Sequence, residues 1–229
     1  VFCASLADWL DKEAPIEWLA DLLALIRATP HLDWLLLTKR IGNFDKRLKQ
    51  ACRHAQTFHT DDTLWQWIAA WACGDEVPPN VWIGATIVNQ EESDRDTPKL
   101  LAVPAAKRFL SMEPMLGPVD LWPMTIPHTH KGIDRPAIDW VIVGGESGPG
   151  ARPMHPDWAS SLRDQCAAAG VPYLFKQWGE WSPATLLDAG PAHARAEVHH
   201  FGDCDTFKVG KKAAGRLLDG RTHDGFPSA

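Results

Sequence analysis

One cadence, repeated along the chain, limits what it can fold into. A short, wholly apolar run stops abruptly at polar, charged or glycine residues, and a helical stretch follows. Leu35-Leu36-Leu37 runs into Thr38-Lys39-Arg40, and Phe109-Leu110 into Ser111-Met112-Glu113-Pro114. Val141-Ile142-Val143 gives way to Gly144-Gly145-Glu146-Ser147, and Tyr173-Leu174-Phe175 to Lys176-Gln177-Trp178. Short continuous apolar runs are the pattern of parallel strands covered on both faces. Such strands point one way, so residues just past their C-terminal ends share a rim, where α/β barrels and open α/β sheets bind ligands. The pattern predicts a scaffold with a functional rim.

The rest of the chain fits that frame. An opening strand over residues 1–4 precedes Ser5 and Asp8. A helix follows Pro15, with Ile16, Leu19, Leu22, Leu23 and Ile26 at three- and four-residue spacing. Strands are predicted over 33–38, 80–87, 107–112, 139–143 and 171–176, and helices over 43–55 and 63–73. After the third strand comes a charged helix over 90–96. Thr97 and Pro98 then fit the N-cap and first position of a new helix, so two pieces are expected there. The proline-rich segment 117–137 is expected to be a surface excursion. A helix starts near Pro156, carries Trp158, Leu162, Cys166 and Ala169 on one stripe, and ends at Gly170, a left-handed C-cap.

Alternation of six strands with helices supports a parallel sheet with right-handed crossovers. Periodicity alone leaves both an incomplete (β/α) barrel and a doubly wound sheet open. From Ser182 the texture changes to Ala, Gly, His and Pro. The expected organisation is therefore an α/β domain over 1–181 and an irregular, loosely packed C-terminal extension over 182–229.

A formal charge of −6 argues against indiscriminate phosphate-backbone binding. No apolar stretch approaches the roughly 20 residues of a membrane span, and no signal peptide is visible, so a cytoplasmic location is expected. The five cysteines, Cys3, Cys52, Cys73, Cys166 and Cys204, lack metal-clip spacing. They read as reduced, mostly buried thiols, and no metal site is expected from spacing.

Thr38, Lys39 and Arg40 offer a hydroxyl and two cations suited to a carboxylate, phosphate or ribose. Glu113, held extended by Pro114, can bind an amine or ribose hydroxyls or act as a base. Gly144, Gly145, Glu146 and Ser147 form a turn whose backbone amides can approach a ligand closely. The turn is neither a Walker loop nor a dinucleotide fingerprint. Lys176, with Trp178 and Trp181, suggests a cationic and aromatic wall. Asp8, Thr86 and Asn89 are weaker rim candidates. His155 fits a helix cap better than catalysis, and His199-His200 fits an exposed position.

At these strand ends the chain resembles the phage-type proteins of unknown function with a three-cysteine motif. These are related to radical S-adenosylmethionine enzymes of the spore-photoproduct-lyase type. The resemblance is carried by Val1-Phe2-Cys3-Ala4-Ser5-Leu6-Ala7-Asp8, Leu35 to Arg40, Val81-Trp82-Ile83-Gly84, Phe109 to Pro114, Asp139 to Gly148 and Phe175-Lys176-Gln177-Trp178-Gly179. Gly215-Arg216-Leu217-Leu218-Asp219-Gly220 adds a final echo. It implies a partial (β/α) barrel of about six parallel strands with outer helices. It also implies S-adenosylmethionine at the rim, bound by Thr38, Lys39, Arg40, Glu113, Gly144 to Ser147 and Lys176. In relatives three N-terminal cysteines hold a [4Fe–4S] cluster whose open iron chelates the cofactor. That segment is not in this sequence, so the chain reads as a fragment or a shortened member without radical activity, and a cluster is expected only with the upstream cysteines. The alternative is a non-catalytic phage-derived module docking a protein or nucleic-acid partner. A hydrolase lacks a nucleophile–base pair or metal-ligand cluster in the sequence.

Overall fold

The computed structural model describes residues 1–3, 7–58, 61, 63–121, 127–130, 133–183 and 196–228, with backbone only for 2–3, 127–130 and 133–136. Ser5 lies outside them. The architecture is mixed α/β, and five of its strands are paired in parallel. Contacts divide the chain into two compact units, Val1–Thr86 with Arg95–Phe109, and Ile87–Asp94 with Leu110–Ala229.

The first unit contains β1 (Phe2–Cys3), α1 (Ile16–Ala28), β2 (Trp34–Thr38), a 3₁₀ turn (Ile41–Asn43), α2 (Phe44–Phe58), α3 (Leu64–Cys73) and β3 (Val81–Thr86). Its strand order is β1-β2-β3, followed by the first half of β4 (Lys107–Met112). All six residues of β3 are buried, as a strand covered on both faces requires. The helices cover the sheet, α1 through Leu19, Leu23 and Ile26 of its expected stripe, and α2 through Leu48, Ala51 and Ala55. Leu64, Ile68 and Trp71 of α3 complete the layer. Edge-to-face contacts link Trp9 to Phe44 and Phe44 to Trp71, and the Trp71 indole donates to the Pro104 carbonyl at 2.7 Å. Gly84 has no side chain for a good reason: a Cβ there would lie 2.2 Å from the Phe109 ring.

Helix α4 (Gln90–Ala102) is continuous, correcting the expected break at Thr97-Pro98. Proline removes one N–H from the ladder, but Thr97 is fully buried within the helix and does not act as a cap. The start is fixed by Asn89, which accepts from Glu92 N at 3.0 Å, while the Glu92 carboxylate accepts from Val88 N at 3.1 Å.

The second unit holds the other half of β4, then β5 (Pro127–His130) and β6 (Ile133–Pro136), an antiparallel pair inside the segment expected to be a surface excursion. Next come β7 (Trp140–Gly144), α5 (Pro156–Ala169) and β8 (Tyr173–Gln177). Strands β7 and β8 pair in parallel, with a register shift between Val143 and Gly144. Gly170 ends α5 at φ 67°, the left-handed cap read from sequence.

The described part of the C-terminal segment is ordered. β9 (Trp181–Pro183), β11 (Asp205–Lys208) and β10 (Glu197–His200) form an antiparallel sheet, and the short α6 spans Lys211–Ala214. Beyond it, the chain returns to β8: Phe175 N donates to His223 O and Gly225 N to Tyr173 O, each at 2.9 Å. A Cβ on Gly225 would lie 2.6 Å from the Tyr173 backbone, and the Trp140 indole donates to Gly225 O at 2.8 Å. The tail thus covers hydrogen-bonding groups that β8 would otherwise expose. Among the described residues, no helix is long and apolar enough to cross a membrane.

Candidate functional site

In the first unit the end of β2 is internally satisfied. The Thr38 hydroxyl, 2% exposed, donates to Asp8 Oδ1 at 2.7 Å and accepts from Arg40 N at 2.8 Å. The Asp8 carboxylate also accepts from Leu10 N at 3.0 Å and Lys39 N at 2.7 Å. Arg40 bridges Asp8 at 3.3 Å and Asp11 at 3.1 Å. Two of the three predicted side chains therefore bind the protein's own carboxylates, and Asp8 is the hub that joins them.

Lys39 is exposed and lines a cavity of about 320 Å³ with Lys12, Arg40, Arg95, Asp96 and Lys99 among its walls. Asp96 answers part of that positive charge, receiving Arg95 at 2.6 Å and Lys99 at 2.8 Å. Burial pushes its carboxyl up, but the bonds and charges of Arg95 and Lys99 outweigh this and hold it below the usual range.

In the second unit, Glu113 follows β4, Gly144 ends β7 and Lys176 lies in β8. Lys176 Nζ donates to Glu113 Oε2 at 3.0 Å. Among the described residues no other group donates to this carboxylate, so Oε1 is an open acceptor. Gly144 makes its seat possible, because a Cβ there would lie 2.6 Å from Glu113 Oε1 and 2.9 Å from Cγ. The glycine at 144 thus makes room for a side chain of this protein.

Gly145 and Gly179 serve backbone packing. A Cβ on Gly145 would fall 1.9 Å from Trp178 O, and one on Gly179 would fall 2.0 Å from Glu146 O. Gly145 N donates to Gln177 O and Glu180 N to Glu146 O, both at 2.9 Å. Glu146 turns to its own loop: Arg152 donates to it from Nε at 2.8 Å, from Nη2 at 2.7 Å and from the backbone at 2.8 Å. Those side-chain bonds hold its carboxyl down to about 2 despite partial burial. Ser147 Oγ accepts from Gln177 Nε2 at 3.1 Å. Trp178 and Trp181 are buried packing residues, donating to Leu217 O and Ala151 O at 2.7 Å each, and form no aromatic wall.

The fold also assembles groups that spacing did not reveal. His155, Asp203 and Cys204 each bring a donor atom within 4.8 Å of the others. His155 caps α5, its Nδ1 accepting from Asp157 N at 3.1 Å, so the neutral ring carries its proton on Nε2. That N–H faces Asp203 Oδ1 at 3.0 Å and Cys204 Sγ at 3.2 Å. A metal would need the Nε2 lone pair, which this tautomer does not offer. Burial and the neighbouring Asp203, Asp157 and Asp205 push the Cys204 thiol up, away from the thiolate a metal prefers. The trio is a clasp between the turn after β10 and the start of α5. Among the described cysteine side chains only Cys166 is buried, its thiol pushed up to about 12, which corrects the expectation of mostly buried thiols.

A second cation-rich cavity, about 390 Å³, is lined by Lys176, Gln177, Lys211, Lys212, Gly215 and Arg216. The run Lys211-Lys212 with Arg216 was a visible charge signal, but nothing local ties it to Lys176.

The model of the DUF5131 family, proteins of unknown function, matches residues 1–227, and the chain belongs to that family. No curated protein and no solved structure matches it.

Proposed function

We propose that this DUF5131 member binds S-adenosylmethionine, or a nucleoside ligand with an amino-acid end, at the ends of β4, β7 and β8, within a partial (β/α) barrel. The pair formed by Glu113 and Lys176 carries the reading. A free α-amino acid presents an ammonium and a carboxylate a few ångströms apart. Glu113 Oε1 is an acceptor open to the first, and the half-exposed Lys176 ammonium is a donor open to the second. Gly144 supports the same reading by leaving the carboxylate space to sit at the strand end. Glu146 and Gly145 act one step back, fixing the loop and strand ends rather than touching the ligand.

The [4Fe–4S] cluster of the resembling enzymes is a separate matter. Among the described residues the thiols of Cys52, Cys73, Cys166 and Cys204 do not gather three to a site, so these residues give a cluster no seat. The role assigned to this chain is therefore binding and orienting.

Titration calorimetry with S-adenosylmethionine tests it. Saturable heat is expected with the wild type, weakened about tenfold or more in Glu113→Gln and in Lys176→Met, with unchanged melting temperatures. The absence of heat with the wild type, or wild-type affinity in both variants, ends the proposal.

A further inference from the structure

The cavity beside Lys176 holds positive charge that the reading above does not use. Four of its six lining residues are cations and none is acidic, in a chain of formal charge −6. Lys176 is bonded to Glu113 and Arg216 to Asp224. Lys211 and Lys212 are exposed, and among the described residues no carboxylate lies within ion-pair distance of either.

Their mount is fixed. Val209 N and Gly210 N both donate to Glu180 O at 3.0 Å, Trp178 N donates to Gly215 O at 3.1 Å, and the Trp178 indole donates to Leu217 O. Like charges held together on an anchored segment repel, and an anion between them relieves that repulsion. A carboxylate carries one charge and is matched by one or two donors. Several cations lining one cavity match phosphate groups, which carry about two charges on three acceptor oxygens as a terminal ester and present a run of single charges as a nucleic-acid backbone.

We propose that this cavity is a phosphate site, taking a phosphate ester of a nucleotide or of a nucleic-acid backbone through Lys211, Lys212 and Arg216. It rests on the proposed function only in sharing Lys176.

The test is calorimetry of the whole chain with ADP, inorganic phosphate and a short single-stranded DNA, comparing wild type with the double variant Lys211→Gln/Lys212→Gln. Affinity for at least one probe should fall about tenfold or more in the variant, with S-adenosylmethionine affinity and melting temperature unchanged. Binding of ADP or phosphate assigns the site to a free phosphate ester. Binding of the oligonucleotide alone assigns it to a backbone, and its log–log salt slope should then shrink by about 1.4 in the variant. The proposal falls if no probe binds the wild type, or if the variant binds all of them equally. Failure of the S-adenosylmethionine reading looks different: no heat with that ligand, while the lysine-dependent phosphate heat persists.

Discussion

Replacing Gly145 by alanine tests whether the strand-end turns are locked by direct backbone contact. The new Cβ would lie 1.9 Å from Trp178 O and 2.6 Å from Trp178 C. Both are backbone atoms, so no side chain can swing aside. Restoring ordinary contact requires the segments to separate by more than about 1 Å. The bonds joining them, Gly145 N to Gln177 O and Glu180 N to Glu146 O, start at 2.9 Å and would pass out of hydrogen-bonding range. Two lost bonds in a buried turn cost about 2–5 kcal/mol, offset by less than about 1 kcal/mol from the stiffer unfolded chain. The net, about 2–4 kcal/mol, corresponds to a fall in melting temperature of roughly 5–15 °C for a chain of this size. Circular dichroism melts and urea titrations of Gly145→Ala read this directly. Gly117→Ala is the control, because its Cβ would come no nearer than 3.5 Å to Asn89 and should change stability by under about 0.5 kcal/mol. Equal melting temperatures for the two variants would refute the argument.

Three further outcomes are expected. Gly144→Ala should displace the Glu113 carboxylate, a flexible side-chain end, leaving the melting temperature nearly unchanged while S-adenosylmethionine heat falls about tenfold or more in calorimetry. The Glu146 carboxyl, lowered from 4.5 to about 2 by Arg152, contributes stability that is present above pH 4.5 and lost as pH falls towards 2. Urea midpoints of the wild type should therefore drop more steeply across that window than those of Arg152→Gln. His155→Ala should lose the α5 cap and the clasp, at a cost of about 1–2 kcal/mol in urea unfolding. His155→Asn should recover the cap portion, and added zinc should shift neither the wild type nor the variants in a melt.

What was legible in the sequence followed from local pattern. The apolar runs of β2, β3, β4 and β7 match their strands because burial on both faces leaves a nearly unbroken signature, and β8 shows through its buried Tyr173 and Phe175. Pro156 and Gly170 bounded α5 through backbone preferences that need no partner. Helix α4 departs from the expected break because Pro98 disfavours a helix interior locally, whereas burial of Ser93, Thr97 and Leu100 accompanies a helix that continues through it. The tail, whose described residues form strands, is illegible locally for the opposite reason. Its stability comes from distant partners, with Gly225 against Tyr173 and Cys204 beside His155, and its own composition carries no periodic stripe.

The same distinction separates the candidate residues from one another. Thr38-Lys39-Arg40 and Glu113 look equally reactive as sequence, since each follows an apolar strand. Their chemistry differs in what the fold supplies as counterpart. Asp8 and Asp11 neutralise Arg40, and the Asp8 carboxylate takes up the Thr38 hydroxyl, so that strand end keeps little unsatisfied valence beyond Lys39. Glu113 receives one donor for four lone-pair positions, and Lys211 and Lys212 receive no carboxylate among the described residues. A polar group already paired within the protein must give up that bond to take a ligand, whereas an open one need displace only water. On that criterion, within the second unit, the ligand chemistry falls to the Glu113 and Lys176 pair and to the lysines of α6. Glu146, the most strongly perturbed carboxyl there, is a structural brace because Arg152 already occupies both of its oxygens.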